Sequence, residues 1–381
     1  MKYIDEFRNG TIAAGISRKI ASVMEGHDMI TIMEVCGSHT MSIYRYGLKN
    51  LLPPNLRLLS GPGCPVCVTS ISYIDTAIAM TQKTSSSFSD EKDVIITTFG
   101  DMMKVPGSSS SLEKERAKGA SVAVVYSTLD ALRLAEKYPE KQIVFLGIGF
   151  ETTAPTIAAS VIEAERRGLE NYFILTAHKL MPPVMKALLR DKELNLHGFL
   201  CPAHVSTIIG SGPYKFIAQD FRIPCVIAGF EPLDILLGIY MLLEQIVKEE
   251  ASVRIQYSRV VKEEGNPTAL ALLAKVFEPC DAEWRGLGLI PESGLKLRRK
   301  YERFDALTAF RISEFGSLNN SKIQIPKSAF NSCICGDILR GVRTPSECKL
   351  FRKVCNPEHP VGACMVSSEG TCAAWYKYGE M

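Results

Sequence analysis

Short apolar runs recur along most of this chain, and a segment with helical spacing follows nearly every one of them. Runs of this kind cover residues 29–35, 93–99, 142–150, 171–178, 198–206 and 224–230. A continuous apolar run of this length is typical of a strand that is buried on both faces, as in a parallel sheet. Their alternation with helical segments predicts the α/β class. In such folds, functional groups gather at the carboxyl ends of the strands.

Two segments of the chain resemble one another and suggest an internal duplication. CPVCVTS at 64–70 is similar to CPAHVST at 201–207, although chance similarity between two short units would give the same pattern. We therefore expect two similar α/β domains with parallel sheets that face a shared cleft, with Cys64 and His204 turned toward it. From about residue 252 the chain becomes more basic and polar, which indicates a third domain. The predicted domains are 1–138, 139–250 and 251–381.

Composition excludes several classes of protein. The chain has 381 residues, 46% of them hydrophobic and 22% charged, and a net charge of +3, which is too balanced to indicate a nucleic-acid partner. The first residues lack the apolar core of a signal peptide, and the longest apolar stretch, at 235–246, is too short to span a bilayer. We therefore expect a cytoplasmic protein with no membrane partner and no nucleic-acid partner.

The twelve cysteines are unusual for the reducing cytoplasm, where clustered thiols indicate metal binding or redox chemistry rather than disulfides. Six of them lie in the last 49 residues: Cys333, Cys335, Cys348, Cys355, Cys364 and Cys372. A cubane iron–sulfur cluster needs four thiolates that converge from different directions, and cysteines on loops supply them. The four predicted ligands are Cys333, Cys348, Cys355 and Cys372, and the alternatives that could replace one of them are Cys335 and Cys364. Structural zinc is the second interpretation.

A second group of chemically active side chains follows the predicted strands near the N-terminus. It consists of Cys36, His39, Cys64 and Cys67. Cys64 and Cys67 can cycle between a dithiol and a disulfide, and Pro65 can start a helix whose N-terminus lowers a thiol pKa. The same four residues could instead hold zinc through three thiolates and one imidazole. In a third interpretation, Cys36 binds a substrate metal transiently beside His39.

Seven motifs along the chain resemble those of the HypD family of hydrogenase maturation proteins. They are EVCGSHT at 34–40, GPGCPVCVTS at 61–70, FGDMMKVPG at 99–107, GFETTAPT at 149–156, PAHVSTIIG at 202–210, GFEPLDIL at 229–236 and PVGACMVSSEGTCAAWYKY at 360–378. They span nearly the whole chain in order, so the resemblance is far more specific than a single Cys-x2-Cys pair. The motifs match the essential central residues of the family at Cys36, His39, Cys64 and Cys67.

The resemblance implies a role in building the Fe(CN)2CO unit of [NiFe]-hydrogenase. HypD-like proteins form a complex with a small HypC-type chaperone that shares the iron, and they receive cyanide from a HypE-type protein that carries it as a thiocyanate. The family carries a [4Fe-4S] cluster in its C-terminal domain. The function that we expect is therefore a redox-active assembly scaffold rather than a conventional turnover enzyme. In it, Cys36 holds the iron, because a single thiol cannot form a local disulfide, and Cys64 with Cys67 supplies electrons.

Two other functions are compatible with the same residues. One is a free-standing thiol–disulfide oxidoreductase that depends on the cluster, and it predicts turnover of small disulfides without partner proteins. The other is a zinc-stabilised binding module, and it predicts bound zinc without visible absorption. The resemblance over the full chain favours the assembly scaffold.

Overall fold

The computed structural model describes residues 5–81, 93–312 and 333–379. Its strands are β1 (Ile30–Glu34), β2 (Leu56–Ser60), β3 (Val94–Thr98), β4 (Val122–Val124), β5 (Gln142–Gly147), β6 (Tyr172–Thr176), β7 (Gly198–Pro202), β8 (Cys225–Ala228), β9 (Val253–Ile255), β10 (Phe277–Trp284) and β11 (Gly288–Leu297). Its α-helices are α1 (Gly10–Met24), α2 (Gly37–Arg45), α3 (Pro65–Val68), α4 (Ile71–Thr81), α5 (Leu112–Ala117), α6 (Thr128–Lys137), α7 (Ala154–Arg167), α8 (Met181–Leu189), α9 (Ala203–Ile209), α10 (Lys215–Phe221), α11 (Pro232–Val247), α12 (Pro267–Val276), α13 (Ala306–Ala309), α14 (Cys335–Arg340) and α15 (Thr371–Tyr378).

The predicted α/β class with parallel sheets is confirmed. Sheet I has the order β2-β1-β7-β8-β9 and sheet II the order β4-β3-β5-β6, and all neighbouring strands within them are parallel. Every residue of β1 and of β7 is buried, as expected where helices cover both faces of a sheet. Helix α11 contacts β7 and β8 and helix α6 contacts β5, so each sheet has its own helical cover.

The two sheets share one strand order. If the strands of each sheet are numbered separately in chain order, the spatial order is 2-1-3-4 in sheet II and 2-1-3-4-5 in sheet I. This is a doubly wound arrangement, whose functional groups lie at the carboxyl ends of the strands. The two units are therefore alike in topology, as the duplication hypothesis requires.

The units do not divide the chain at residues 138 and 250, where the sequence pattern placed the domain boundaries. Ile32 of β1 pairs with Gly198 of β7, so the third strand of sheet I comes from the middle of the chain. The whole of sheet II is inserted between the second and third strands of sheet I. The two similar segments at 64–70 and 201–207 therefore both lie at carboxyl ends of strands of sheet I, after β2 and at the end of β7, and do not belong to one unit each. Parallel pairing joins strands that are distant in sequence, and local patterns do not specify the partner.

The predicted third domain is likewise divided among several places. β9 is the edge strand of sheet I, and β10 with β11 forms an antiparallel hairpin that contacts α8. Residues 333–379 pack on the carboxyl edge of sheet I, where α15 contacts α2 and α14 contacts β2. The cysteine-rich segment is thereby brought against the ends of β1 and β2. None of the helices in the described ranges combines the length and the apolar character needed to cross a bilayer.

Candidate functional site

Cys36 lies where β1 ends and α2 begins, and the loop after β2 approaches it closely. The N–H of Gly37 donates to the carbonyl oxygen of Gly63 over 2.9 Å. A Cβ atom on Gly63 would lie 2.3 Å from the nitrogen of Cys36 and 2.4 Å from its Cα, so the approach requires glycine. This packing places the start of α2 beside the start of α3, which carries the next two cysteines.

Cys64 and Cys67 share one short helical turn. Cys64 is the N-cap of α3 and Pro65 is its first residue, as the CPVC motif predicts. The Cys64 Sγ accepts a hydrogen bond from the N–H of Cys67 over 3.3 Å. Both side chains are buried, and burial raises the pKa of Cys67 well above its ordinary value. The burial therefore favours the protonated thiol until a cation or a metal stabilises the thiolate.

His39 is buried one helical turn after Cys36, and one of its ring nitrogens is free. Its Nε2 lies 3.0 Å from the carbonyl oxygen of Ala228 and 2.9 Å from that of Gly229, so Nε2 must carry the proton. Within the described residues Nδ1 has no hydrogen-bond partner. Burial lowers the pKa of His39 to about 4. The ring is therefore neutral near pH 7, and Nδ1 offers an unused lone pair.

A second histidine and an aromatic ring complete this edge of sheet I. His204 follows β7, and its ring centroid lies 4.0 Å from that of Phe230, which in turn lies 5.2 Å from that of His39. Burial lowers the pKa of His204, and the charge of Glu369 opposes that shift. The sequence placed His204 at a cleft between two domains, whereas the structure places it at the carboxyl end of sheet I near His39.

Glu369 reaches the site from the C-terminal segment and carries no local sequence signal other than its place between two cysteines. Its Oε1 accepts a 2.7 Å hydrogen bond from the Ser38 hydroxyl. A Cβ atom on Gly37 would lie 2.5 Å from the Glu369 Cβ, so the two segments are in tight contact. Burial, and after it the charge of Glu369, raises the pKa of Cys36 to about 12. A carboxylate thus lies beside the thiol that the sequence singled out for iron.

Glu34 is a further residue that sequence reasoning missed, since it ends a strand whose residues are all buried. It is fully buried behind Cys36, whose N–H donates to the Glu34 Oε2 over 3.0 Å. The Thr40 hydroxyl donates to the other oxygen. Burial raises the pKa of Glu34 to about 7. Glu34 therefore fixes the start of α2 by two hydrogen bonds while titrating near neutral pH.

The cysteines of the C-terminal segment, Cys333, Cys335, Cys348, Cys355, Cys364 and Cys372, form the C-terminal thiol group. The Sγ atoms of Cys364 and Cys372 lie 3.1 Å apart, and Cys335 hydrogen-bonds to the thiols of Cys333 and Cys364. Cys372 also interacts electrostatically with Cys333 and Cys355. Five of the six thiols are thus connected through direct or electrostatic contacts.

Cys348 and Cys355 lie on one tight turn at the edge of this group. The N–H of Phe351 donates to the Cys348 carbonyl oxygen over 3.1 Å, and that of Cys355 donates to the Leu350 carbonyl oxygen over 3.0 Å. The N–H of Val361 donates to the Cys355 Sγ over 3.3 Å, a contact typical of cysteines that carry negative charge on sulfur. Cys348 is half-buried.

The donor chemistry of the C-terminal thiol group fits an iron–sulfur cluster. Thiolates are the ligands that such clusters use, and here they converge from three separate stretches of loop and helix. Among residues 5–81, 93–312 and 333–379, no three histidine, cysteine, aspartate or glutamate side chains are already arranged around a single ion. The group therefore fits a cluster because its donors are sulfur atoms and because these atoms lie close together.

The N-terminal thiol group, Cys36, Cys64 and Cys67, lies directly against the C-terminal one. A Cβ atom on Gly370 would lie 3.0 Å from the Cys67 Sγ. Cys67 also interacts electrostatically with Cys364 and Cys372. Sequence spacing could not reveal this contact, because it joins residues that are about three hundred positions apart in the chain.

Comparisons with known proteins agree with the motifs. A model of the "Hydrogenase formation hypA family", called HypD, matches residues 11–379. The chain is 45% identical over 387 residues to "Hydrogenase maturation factor HypD2" of Bradyrhizobium diazoefficiens, covering 100% of this chain and 97% of the relative. It is 45% identical to a HypD factor of Rhizobium leguminosarum bv. viciae, covering 100% and 96%, and 43% identical to one of Cupriavidus necator, covering 100% and 97%.

Proposed function

Because this chain belongs to the HypD family and so has a role in hydrogenase maturation, we propose that it is the redox-active scaffold on which the Fe(CN)2CO unit is assembled. The observation that carries the proposal is the contact between the two thiol groups, with Cys67 beside Cys364 and Cys372. A lone redox dithiol needs no cluster beside it, and a structural cluster needs no dithiol. Their contact suits a chain that passes electrons from one to the other.

The substrate iron is assigned to Cys36. Its thiol lies at the end of β1, with the unpartnered Nδ1 of His39 on the next helical turn and the Glu369 carboxylate alongside. Low-spin iron that carries cyanide and CO favours soft thiolate ligands. Since burial favours the protonated thiol, binding of the metal must displace that proton. A HypC-type chaperone is the partner proposed to share the iron.

The resident [4Fe-4S] cluster is assigned to the C-terminal thiol group, with Cys333, Cys348, Cys355 and Cys372 as its ligands. Two of these, Cys333 and Cys355, lie near enough to Cys372 to raise the pKa of its thiol. When bound, the cluster supplies single electrons from an external one-electron donor. Cys335 and Cys364 hydrogen-bond to each other within this group, and both Cys364 and the proposed ligand Cys372 lie near Cys67.

The Cys64–Cys67 pair is assigned the reduction that releases cyanide. A HypE-type donor carries cyanide as a thiocyanate, R–S–CN. Two protein thiols and R–S–CN give one protein disulfide, R–SH and HCN, so the S–CN bond breaks, two electrons move from the dithiol, and both protons are accounted for. Two electrons and two protons then restore the dithiol before the second cyanide. Cys36 has no local partner for this exchange, whereas Cys64 and Cys67 are three residues apart on one turn.

The test uses anaerobically purified full-length protein, co-expressed with HypC-type and HypE-type partners. We expect iron together with infrared bands of cyanide in the wild type. Cys36→Ala should lose the substrate iron. Cys64→Ser and Cys67→Ser should keep the substrate iron and lose the cyanide bands. Cys225→Ala is the matched control, because Cys225 is buried at the opposite, amino end of a strand of sheet I.

Three results would count against the proposal. If Cys36→Ala keeps the substrate iron with both cyanide bands, Cys36 is not the residue that binds this iron. Stoichiometric zinc on Cys36, His39, Cys64 and Cys67 of the wild-type protein would favour the zinc-stabilised module. Turnover of small disulfides without partner proteins would favour the free-standing oxidoreductase.

A further inference from the structure

Arg285 is a buried cation in the turn that joins β10 to β11. Only 6% of the residue is exposed. Its Nε donates to the Thr69 carbonyl oxygen over 2.7 Å, and its Nη2 donates to that of Pro106 over 3.0 Å. Within the described chain no carboxylate forms an ion pair with it, unlike Arg259, which pairs with the buried Asp234. Two carbonyl dipoles alone leave the charge of a buried guanidinium uncompensated.

The groups that can compensate this charge are thiols. Burial lowers the pKa of Arg285, and the nearby groups that oppose this shift most are Cys335, Cys67, Cys364 and Cys333. One of the four belongs to the N-terminal thiol group and three belong to the C-terminal thiol group. The guanidinium therefore has thiols of both groups among its neighbours.

The position of Arg285 is fixed on both sides. Toward the N-terminal thiol group, its own N–H donates to the Val68 carbonyl oxygen over 2.8 Å, directly after Cys67. Toward the C-terminal thiol group, a Cβ atom on Gly286 would lie 2.2 Å from the Cα of Gly336, the residue after Cys335. Gly286 also has a φ of +80°, which glycine adopts without strain. Because Gly286 and Gly336 have no side chains, the backbone of the turn can contact the backbone of the cysteine segment directly.

Resting on the proposed function, we propose that Arg285 is a positioning residue that supplies one positive charge shared by both thiol groups and so favours the reduced form of the Cys64–Cys67 pair. Reduction of that disulfide takes up two electrons and two protons, and the sulfur atoms that result carry partial negative charge that can accept hydrogen bonds from the guanidinium. A fixed cation in a poorly solvated site lowers the free energy of that charge. The planar guanidinium can hold two carbonyls and still present further N–H donors to sulfur, which an ammonium group cannot do in the same geometry.

The test measures the equilibrium between full-length protein and dithiothreitol at pH 8. The protein disulfide and the dithiothreitol dithiol exchange two electrons and two protons, and differential alkylation with mass spectrometry gives the reduced fraction of the Cys64–Cys67 peptide. Arg285→Gln should lower the equilibrium constant for reduction about tenfold, which is ~30 mV for a two-electron couple. Arg285→Lys should change it less than threefold.

Arg298→Gln is the matched control. Arg298 lies just after the other end of the hairpin, and its Nε also donates to two carbonyl oxygens, over 2.8 and 3.0 Å, but no thiol faces it among the contacts described. This variant should leave the equilibrium unchanged. An unchanged equilibrium in Arg285→Gln would overturn the proposal, and so would equal shifts in the Gln and Lys variants, which would indicate packing rather than charge.

The experiments test the role of Arg285 independently of the proposed function. If Arg285→Gln does not fold, Arg285→Lys decides: a folded variant with a near wild-type equilibrium supports the role of charge, and an unfolded one overturns it. Iron analysis of the wild-type protein tests the cluster independently. Protein without a cluster would refute the redox scaffold, while the Cys64–Cys67 equilibrium would still report on Arg285.

Discussion

The N–H of Cys36 donates a 3.0 Å hydrogen bond to the carboxyl group of Glu34, a side chain with no solvent exposure. The residue that ends β1 therefore fixes Cys36, two residues further along the chain, and with it the orientation of the thiol proposed to bind iron. A buried carboxyl group in this position couples the geometry of the site to pH, since burial raises its pKa to about 7.

Glu34→Gln should change how stability depends on pH. Because the folded-state pKa of Glu34 is raised from 4.5 to about 7, the folded protein binds more protons than the unfolded chain between these values, and stability falls as pH rises through this window. The shift corresponds to a loss on the order of 3 kcal/mol. Glutamine keeps an acceptor for the Cys36 N–H and removes the titration. Urea unfolding at pH 5 and pH 8 should therefore show a smaller loss in the variant, whereas exposed Glu113→Gln should behave as wild type. An identical loss in Glu34→Gln would contradict the assignment.

His39→Gln should reduce the loss of stability at acid pH, whereas Glu34→Gln should reduce the loss at alkaline pH. Burial lowers the folded-state pKa of His39 from 6.5 to about 4, so its contribution is fully present above pH 6.5 and is lost as pH falls toward 4. The expected difference is again on the order of 3 kcal/mol. Unfolding free energies measured at pH 4.5 and pH 7 should differ less in the variant than in wild type. The exposed His27→Gln is the control, and a variant that keeps the full acid sensitivity would show that another group causes it.

Gly63→Ala should disrupt the approach of the β2 loop to Cys36. The added Cβ would lie 2.3 Å from the Cys36 nitrogen, and the contacting atoms are backbone that cannot rotate away. Overpacking of this kind typically lowers stability by about 1–3 kcal/mol. Gly15→Ala is the matched control, because a Cβ at this position within α1 meets nothing within 4 Å, and alanine should stabilise the helix by up to ~1 kcal/mol. Chemical unfolding of both variants would show opposite signs, and equal effects would refute the close approach.

Much of the fold could be predicted from local pattern. The strand expected at 29–35 is observed as β1, and the α/β class and the likeness of two units follow from the alternation of strands and helices. The assignment of strands to sheets could not be predicted in the same way. β1 pairs with β7 across more than 160 residues, and no local signal encodes that choice because parallel pairing is non-local.

The site shows the same division. Cysteines that follow strands are visible in the sequence, and the structure brings Cys36, Cys64 and Cys67 to one edge of sheet I. Glu34, Glu369 and Arg285 were missed because a single charged residue has no pattern of its own. Their importance arises from burial and from segments that meet only in the folded chain. The contact of Cys67 with the C-terminal thiol group could not be predicted for the same reason, since the two segments meet only after folding.

Single Cys→Ala variants across the C-terminal thiol group should separate cluster ligands from neighbouring thiols. We expect Cys333, Cys348, Cys355 and Cys372 to be required for iron, because a cubane with three thiolates and no fourth ligand is labile. Cys335→Ala and Cys364→Ala should keep iron, although these two thiols contact each other and the ligands. Cys348 makes the prediction sharp, since it is half-buried and yet is proposed as a ligand, while Cys364 hydrogen-bonds to two other thiols and is not. Iron and sulfide content with the visible spectrum of anaerobic protein is the measurement, and Cys280→Ala, a half-buried cysteine on the hairpin, is the control. Full iron in Cys348→Ala together with loss of iron in Cys335→Ala or Cys364→Ala would replace this ligand set with the one that the direct thiol contacts favour.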